Sequence, residues 1–341
     1  MPIAKSKHSV ENPMKVLRAR LSEVGVKRKF LNEVVLPSWW EDSIALSEGG
    51  FCEAASYVCA HLGFSLASLV EEGRELAFSH QAGVKYKKAK GVSKEDVALA
   101  THYALGVARS VAKAMAGKSE LATVPAPDAW RVPLLASSDR QWVCLRHILK
   151  ATWELGIPVI HLKKIPSGVK KPDALTTMVG DRPVIVVLSA RKSPSWIAFI
   201  VAHELGHIHR GHLKAGETLV DKKIAAQVED KDEVEANEFA ATLLTGHDDL
   251  GLHSTQSLSP SQLARQAGVF GKNYRIAPGV AALNYGFTTE HWAVANGAVS
   301  ILEKDDDAGR DLSDAMALHL SRADFSEDSW EWITRATSAA E

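Results

Sequence analysis

Apolar and polar residues follow two different periods along the chain. Through residues 10–75 apolar side chains recur every three or four positions, the spacing of amphipathic helices, with a break at Pro37. Beyond residue 133 a further helical stretch precedes two runs rich in β-branched residues, IPVIHLKKI and ALTTMVGDRPVIVVLSA, which are typical of strands. The second run turns at Gly180-Asp181 and therefore predicts a hairpin.

Two long helices follow the predicted hairpin. The first begins at Ser195 with several large apolar residues, and the second covers DKDEVEANEFAATLLTG and is closed by Gly246. A helix, a small sheet and two further helices predict an α+β core over residues 131–250. The remaining residues, 251–341, have helical periodicity, with a Ser-Pro helix start at SPSQL and a charged stretch over 303–313.

The first 78 residues predict an all-helical domain. Their last piece, HLGFSLASLV, resembles the turn and second helix of helix-turn-helix modules, in which a glycine allows a sharp turn between two short helices. Two interpretations stay open. The region either binds DNA or is a helical packing or partner-binding domain with the same local shape.

Residues 79–130 predict a helical connector followed by a linker. Ser93 and Asp96 have the spacing of a helix N-cap, and the alanine-rich helix after them ends at Gly117. The lysines before this helix either contact phosphates or belong to a solvated loop; they are Lys85, Lys87, Lys88 and Lys90. Three prolines in ATVPAPDAWRVP stiffen the chain and remove donors, which predicts a linker and a domain boundary near 122–133.

Composition narrows the class of protein. The chain has 341 residues, 46% hydrophobic and 24% charged, with a formal net charge of −1. These values are typical of a globular protein and indicate no general preference for nucleic acid. The three cysteines, Cys52, Cys59 and Cys144, form no CxxC pair, so a reducing compartment is expected. The N-terminus has no signal-peptide pattern and no apolar run reaches about 18 residues, which predicts a cytoplasmic protein without a membrane span.

The stretch AHELGHIHRGH, residues 202–212, carries the strongest chemical signal. His203 and His207 are four positions apart, so on a helix both imidazoles leave the same face and can bind one metal ion. Glu204 beside them is placed to accept a proton from a water molecule that Zn²⁺ activates. Gly206 is unfavourable inside a helix by about 1 kcal/mol, which predicts that something approaches the backbone closely there.

A catalytic zinc site needs a third protein ligand. Glu233 lies in the second predicted helix on the stripe that faces the core, and Asn237 one turn later can contact a ligand histidine. Glu235 is the alternative ligand and Glu238 the third choice. Because Glu235 is about 200° round the helix from Glu233, the two cannot both face the ion.

The two helices resemble those of the ImmA/IrrE family of cytoplasmic metallopeptidases. That family pairs a HELGH-type helix with a downstream E-x-x-A-N-x-F-A-x-x-L-L helix, and this chain has IAFIVAHELGHIHRGH and EVEANEFAATLLTG. The family's usual ending L-L-M-P is LLTG here, and YRIAPGVAALNYGF is similar to a stretch that follows the peptidase core. The resemblance covers roughly residues 135–290, implies a small zincin core and places Glu233 as the third metal ligand.

By this resemblance we expect a zinc endopeptidase with Glu204 as the catalytic base. The expected metal ligands are His203, His207 and Glu233, and Mn²⁺ or Fe²⁺ can also occupy such a site. The family implies a repressor or antitoxin-like protein as substrate, in a stress-response or mobile-element system. We expect the substrate to add as a strand to RPVIVVLSA. The candidates to assist with the oxyanion are His209, His212 and Tyr274.

Two other functions stay open. One is a DNA-binding or antitoxin-like regulator in which the zinc site is structural or inactive. The other is a zinc hydrolase that acts on a small amide, although no feature of the sequence indicates a small-molecule pocket.

Overall fold

A five-stranded mixed sheet lies at the centre of the computed structural model. Its order is β1-β5-β3-β4-β2, and the strands are β1 Val84–Tyr86, β2 Val159–His161, β3 Ala174–Val179, β4 Arg182–Val187 and β5 Thr218–Asp221. Strand β3 pairs antiparallel with β4 and β5, while β2 is parallel to β4 and β1 is parallel to β5. The structure describes residues 12–71, 73–79, 83–86, 93–138, 141–221, 230–247 and 258–337.

Helices pack on both faces of the sheet. The first seven are α1 Pro13–Glu23, α2 Arg28–Phe30, α3 Glu48–Leu62, α4 Leu66–Val70, α5 Lys94–Ala114, α6 Pro127–Ala136 and α7 Leu145–Glu154. The later ones are α8 Pro194–Arg210, α9 Lys231–Thr245, α10 Pro260–Tyr274, α11 Pro278–Thr289, α12 Trp292–Leu302, α13 Ala308–His319 and α14 Glu327–Thr337. The predicted α+β class and the β3–β4 hairpin are confirmed. Within the described ranges, no helix is both long and apolar enough to cross a membrane.

Alternating side chains of the sheet face two hydrophobic cores. Val184 and Val186 of β4 lie in one core and Ile185 and Val187 in the other, as the two-residue period of a strand requires. The first core also contains apolar residues of α1, α3, α5 and α14, so the N-terminal helices share a core with the sheet. The second core joins the sheet to helices α6 to α13. The domain boundaries expected above stay predictions.

The turn between α3 and α4 has the local shape expected from HLGFSLASLV. Helix α3 ends at Leu62, Gly63 follows with a φ of +76°, and Ser65 caps α4. Helix α4 has five residues, little more than one turn. DNA binding by this region stays a prediction.

The connector before the predicted α+β core contains a strand and a capped helix. The capping box of Ser93 and Asp96 is confirmed, and the helix that it begins ends at Ala114, three residues before Gly117. Lys85 lies in β1, where its Nζ is 2.7 Å from a carboxylate oxygen of Glu217. The other three lysines, Lys87, Lys88 and Lys90, lie outside the described residues.

The linker predicted over 122–133 is wrong from Pro127 onward. Pro127 takes the first position of α6, where a proline costs no hydrogen bond because the first N–H groups of a helix have no partner within it. The buried Arg131 of α6 donates to the carbonyls of Leu243 and Leu244. These bonds attach α6 to the end of α9, so this proline-rich stretch is part of the packed structure.

Candidate metal centre

Helix α8 carries the HELGH motif in the interior of the protein. Ser193 and Pro194 begin this helix, and Gly211 ends it with a φ of +70°. Neighbouring apolar residues such as Val201 and Leu205 lie in the second core, and their burial places the polar residues between them inside as well. Three polar side chains of α8 are at most 1% exposed: His203, Glu204 and His207.

The two histidines and Glu233 of α9 converge on one point. The Nε2 atoms of His203 and His207 are 3.1 Å apart, and each lies 3.5 Å from one carboxylate oxygen of Glu233. Nitrogen and oxygen ligands held tetrahedrally at about 2.0–2.1 Å from one zinc ion are about 3.3 Å apart. The observed spacing fits that requirement, so this group can hold one metal ion with a coordination place left for water or substrate.

Gly206 allows α9 to approach α8 closely enough for this convergence. A Cβ atom at position 206 would lie 2.9 Å from the Cα of Ala236 and 3.0 Å from its carbonyl oxygen. The sequence predicts that another part of the chain approaches the backbone closely at Gly206, and the contact with Ala236 confirms this prediction. Since Glu233 is on the same helix as Ala236, the small residue in α8 brings the carboxylate within reach of the histidines.

The outer nitrogens of both histidines have partners in the described structure. His203 Nδ1 is 3.0 Å from Asn237 Oδ1, the amide contact expected from the sequence. His207 Nδ1 is 2.8 Å from His212 Nδ1, and His212 Nε2 is 3.2 Å from a carboxylate oxygen of Glu235. The hydrogen bond from His212 lowers the pKa of Glu235, which keeps this acceptor ionised.

Glu204 points towards the sheet. The hydroxyl of Thr176, on β3, donates a hydrogen bond of 2.5 Å to Glu204 Oε2. Thr176 is fully buried, and no spacing in the sequence connects it with Glu204. Its one signal is a hydroxyl residue in an otherwise buried apolar strand, a position where a polar group needs a partner.

The remaining sequence candidates lie elsewhere around the site. Glu235 contacts His212, and the exposed Glu238 borders a cavity between helices. His209 Nδ1 is 2.9 Å from the carbonyl oxygen of Val124, and Tyr274 stacks on Phe270 near the end of α10. None of the described contacts of His209 and Tyr274 is with His203, His207 or Glu233.

The expected addition of a substrate strand to RPVIVVLSA is wrong for the second half of β4. This run forms β4, which has β3 on one side and β2 on the other. Strand β3 pairs with all of β4, and β2 pairs with its second half, Ile185–Val187, so both edges are occupied there. A strand binds only to a free edge. The sequence predicted a strand at β2 but not its pairing with β4, because that pairing depends on how the chain folds back.

Comparison with known families agrees with this geometry. Residues 154–269 match the model of the Peptidase M78 family, described as IrrE N-terminal-like domain. This segment is a Peptidase M78 domain. The match begins at the end of α7 and includes β2 to β5, α8 and α9. It therefore contains His203, His207 and Glu233, which together are called the metal-binding group below. A search of curated proteins found no match.

The M78 domain supports a metallopeptidase-like function for this chain. The resemblance to the ImmA/IrrE family is confirmed over the matched residues. The family is zinc-dependent, and the domain here contains two imidazoles and a carboxylate whose donor atoms can bind one ion.

Proposed function

We propose that the M78 domain is a metal-dependent endopeptidase with Glu204 as its general base. The observation that carries this proposal is the convergence of His203, His207 and Glu233, with donor atoms 3.1 to 3.5 Å apart. Two imidazoles and one carboxylate are the ligand set of zinc peptidases, and the same set also accepts Mn²⁺ or Fe²⁺.

The protein groups around the site suit hydrolysis of a peptide bond. When bound at this site, Zn²⁺ would supply a Lewis acid that lowers the pKa of water to about 7. The hydroxyl of Thr176 donates to Oε2 of Glu204 and orients the carboxylate, which accepts a proton from the attacking water. Glu204 then returns that proton to the leaving amine. Glu204 is buried, so bulk water is excluded and the electrostatic interactions of its carboxylate are stronger than in water.

We further propose that the substrate is a regulatory protein of the repressor or antitoxin-like type. The support is the resemblance of the M78 domain to the ImmA/IrrE family, whose members cleave such proteins. A cleaved target would place the chain in a stress-response or mobile-element system. Specificity then depends on residues near the metal-binding group that recognise a segment of the target.

Replacement of Glu204 tests this function. We expect Glu204→Gln to keep the bound metal, because the metal-binding group is unchanged, and to lose cleavage by about 10²–10⁴-fold, the usual contribution of a general acid–base group. Mass spectrometry of cells expressing either form should show one cleaved regulatory protein only with the intact chain, and elemental analysis of the purified proteins should show equal zinc.

The control is Glu154→Gln, which makes the same charge change at an exposed position near the end of α7. It should leave both metal content and cleavage unchanged. Equal cleavage by the Glu204→Gln form would contradict the proposed function, because the protein would then hydrolyse the bond without its base.

A further inference from the structure

An apolar cavity of about 230 Å³ lies between α8, α9, α11 and α12. Four aromatic rings form much of its wall: Trp196, Phe199, Phe287 and Trp292. The rings of Trp196 and Trp292 stack with centroids 5.6 Å apart, and Phe287 packs edge-on against Trp292. The walls are therefore held by contacts among themselves and form a preshaped cavity.

The cavity lies next to the metal-binding group, with the side chain of Phe199 between them. Phe199 is one helical turn before His203, and their rings lie 6.4 Å apart at an angle of 29°. Asn237 belongs to the cavity wall, and its Oδ1 contacts His203 Nδ1. A residue next to a peptide bond held at the metal can thus reach the cavity with its side chain.

The size of the cavity argues for a single side chain as its occupant. Pockets that enclose drug-sized ligands or cofactors measure about 300–1,000 Å³, more than is available here. Aromatic walls gain most from another ring, because offset or edge contacts between rings add to the burial of apolar surface.

One polar group in the wall lacks a partner. Oδ1 of Asn284 is buried and, among the described residues, has no hydrogen-bond partner. Two hydroxyls of the wall are already engaged: that of Ser195 donates to Glu303, and that of Thr245 contacts the carbonyls of Ala241 and His247. A buried acceptor without a donor is unfavourable, so an occupant that brings an O–H or N–H to Asn284 is preferred over a purely apolar one.

We infer that this cavity binds one tyrosine or tryptophan side chain of the polypeptide substrate, with its hydroxyl or indole N–H donating to Asn284. The inference rests on the proposed peptidase function and specifies its substrate. The exposed carboxylate of Glu238 at the same wall repels a free carboxylate, which favours an internal residue of a polypeptide over a free amino acid.

Binding of amino-acid amides to the full chain tests the inference without any cleavage. We expect N-acetyl-L-tyrosinamide to bind about three- to tenfold more tightly than N-acetyl-L-phenylalaninamide, because the two differ by one hydroxyl and one hydrogen bond. Ligand-observed NMR gives both dissociation constants. Asn284→Ala should remove the preference for tyrosine while leaving the phenylalanine probe bound.

A second variant fills the cavity. Ala241 of α9 lines it, so Ala241→Phe should weaken binding of both probes at least tenfold. The matched control is Ala293→Phe, which adds the same side chain at an exposed position of α12 outside the cavity. Circular dichroism establishes that each variant is folded, and Ala241→Leu replaces Ala241→Phe if the larger residue prevents folding.

The outcomes separate this inference from the proposed function. Equal binding of both probes to wild type, or unchanged binding to the filled variant, would overturn the assignment of the cavity even if the protein cleaves its target. Retained binding with the tyrosine preference, but no cleavage by the intact chain, would support the cavity and contradict the peptidase function.

Discussion

At the scale of single residues, the proposed metal binding requires the ligand histidines to present unprotonated nitrogens, and the hydrogen bonds around them meet this requirement. A ligand Nε2 must be unprotonated, so Nδ1 of His207 carries the hydrogen and donates it to Nδ1 of His212. His212 then carries its hydrogen on Nε2 and donates to Glu235. By the same reasoning, Nδ1–H of His203 donates to Asn237. Each imidazole is therefore fixed in tautomer and orientation.

Removal of His212 should weaken metal binding without touching a ligand. We expect His212→Ala to raise the dissociation constant for Zn²⁺ about 10- to 100-fold, the usual effect of losing the partner of a ligand histidine. Competition with a chromophoric chelator measures this constant. The control is His209→Ala, whose ring contacts the carbonyl of Val124 and should change the constant less than twofold. Equal constants for the two variants would contradict the proposed orientation of His207.

The predictable part of the site is the part that lies within single helices. The spacing of His203 and His207, and that of Glu233 and Asn237, follows from helix geometry alone. His212 lies beyond the glycine that ends α8, and Thr176 comes from a strand 28 residues away from Glu204. Their contacts depend on how the chain folds back, which no local period encodes.

At the scale of elements, the packing of α8 on α9 determines where Glu233 lies. A methyl group at position 206 would meet the backbone of Ala236, which moves only if α9 moves as a whole. Two effects then compete in Gly206→Ala. Alanine favours the helix by about 1 kcal/mol over glycine, whereas overpacking a tight contact costs about 1–3 kcal/mol.

We expect the steric cost to prevail in Gly206→Ala. Urea unfolding should give a free energy of unfolding lower by about 1–2 kcal/mol, and the displaced carboxylate should weaken zinc binding. Gly268→Ala in α10 is the matched control: a Cβ there has no neighbour within 4 Å, so the protein should gain about 0.5–1 kcal/mol. A stabilised Gly206→Ala form with unchanged zinc affinity would show that α8 and α9 are not in tight contact.

The long elements were predictable from the sequence, and of the three shortest strands only β2 was. Helices α8, α9 and α10 begin and end at capping residues that can be read directly, such as Ser259 before α10. Strands β1 and β5 have three and four residues, too few for a period to be recognised, and they exist because they pair with each other. The pairing of β2 with β4 also depends on how the chain folds back, and the error about β4 followed from missing that pairing.

At the scale of the whole molecule, the C-terminal helix α14 packs against the N-terminal helices in the first core. Trp332 of α14 stacks on His61 of α3 with ring centroids 3.9 Å apart, and Tyr57 donates to Asp328 at 2.6 Å. Arg335 donates to the carbonyl of Leu36. These contacts join residues about 270 or more positions apart, and nothing in the local sequence pattern predicts them. They make the N-terminal helices and the C-terminal helix one packed unit with the sheet.

The buried His61 makes the packing of α14 on α3 sensitive to acid. Burial against Trp332 disfavours the charged ring and lowers the pKa of His61 from 6.5 to about 4, while its bond to the carbonyl of Val35 and the charge of Asp328 act in the opposite direction. Between these two pH values the unfolded chain binds a proton that the folded chain does not. Stability present above pH 6.5 is therefore lost as the pH falls towards 4, by an amount on the order of 3 kcal/mol.

The comparison of His61→Phe with wild type isolates this effect. Phenylalanine keeps a ring against Trp332 but takes up no proton, so the wild-type advantage in free energy of unfolding should shrink between pH 7 and pH 4.5. Urea unfolding at several pH values measures it, and carboxylates that titrate in both proteins cancel in the difference. The same replacement at the exposed His247 should leave the difference constant. A difference for His61→Phe that is equally constant would mean that acid weakens the fold elsewhere, and that the contact between α3 and α14 tolerates a charged ring.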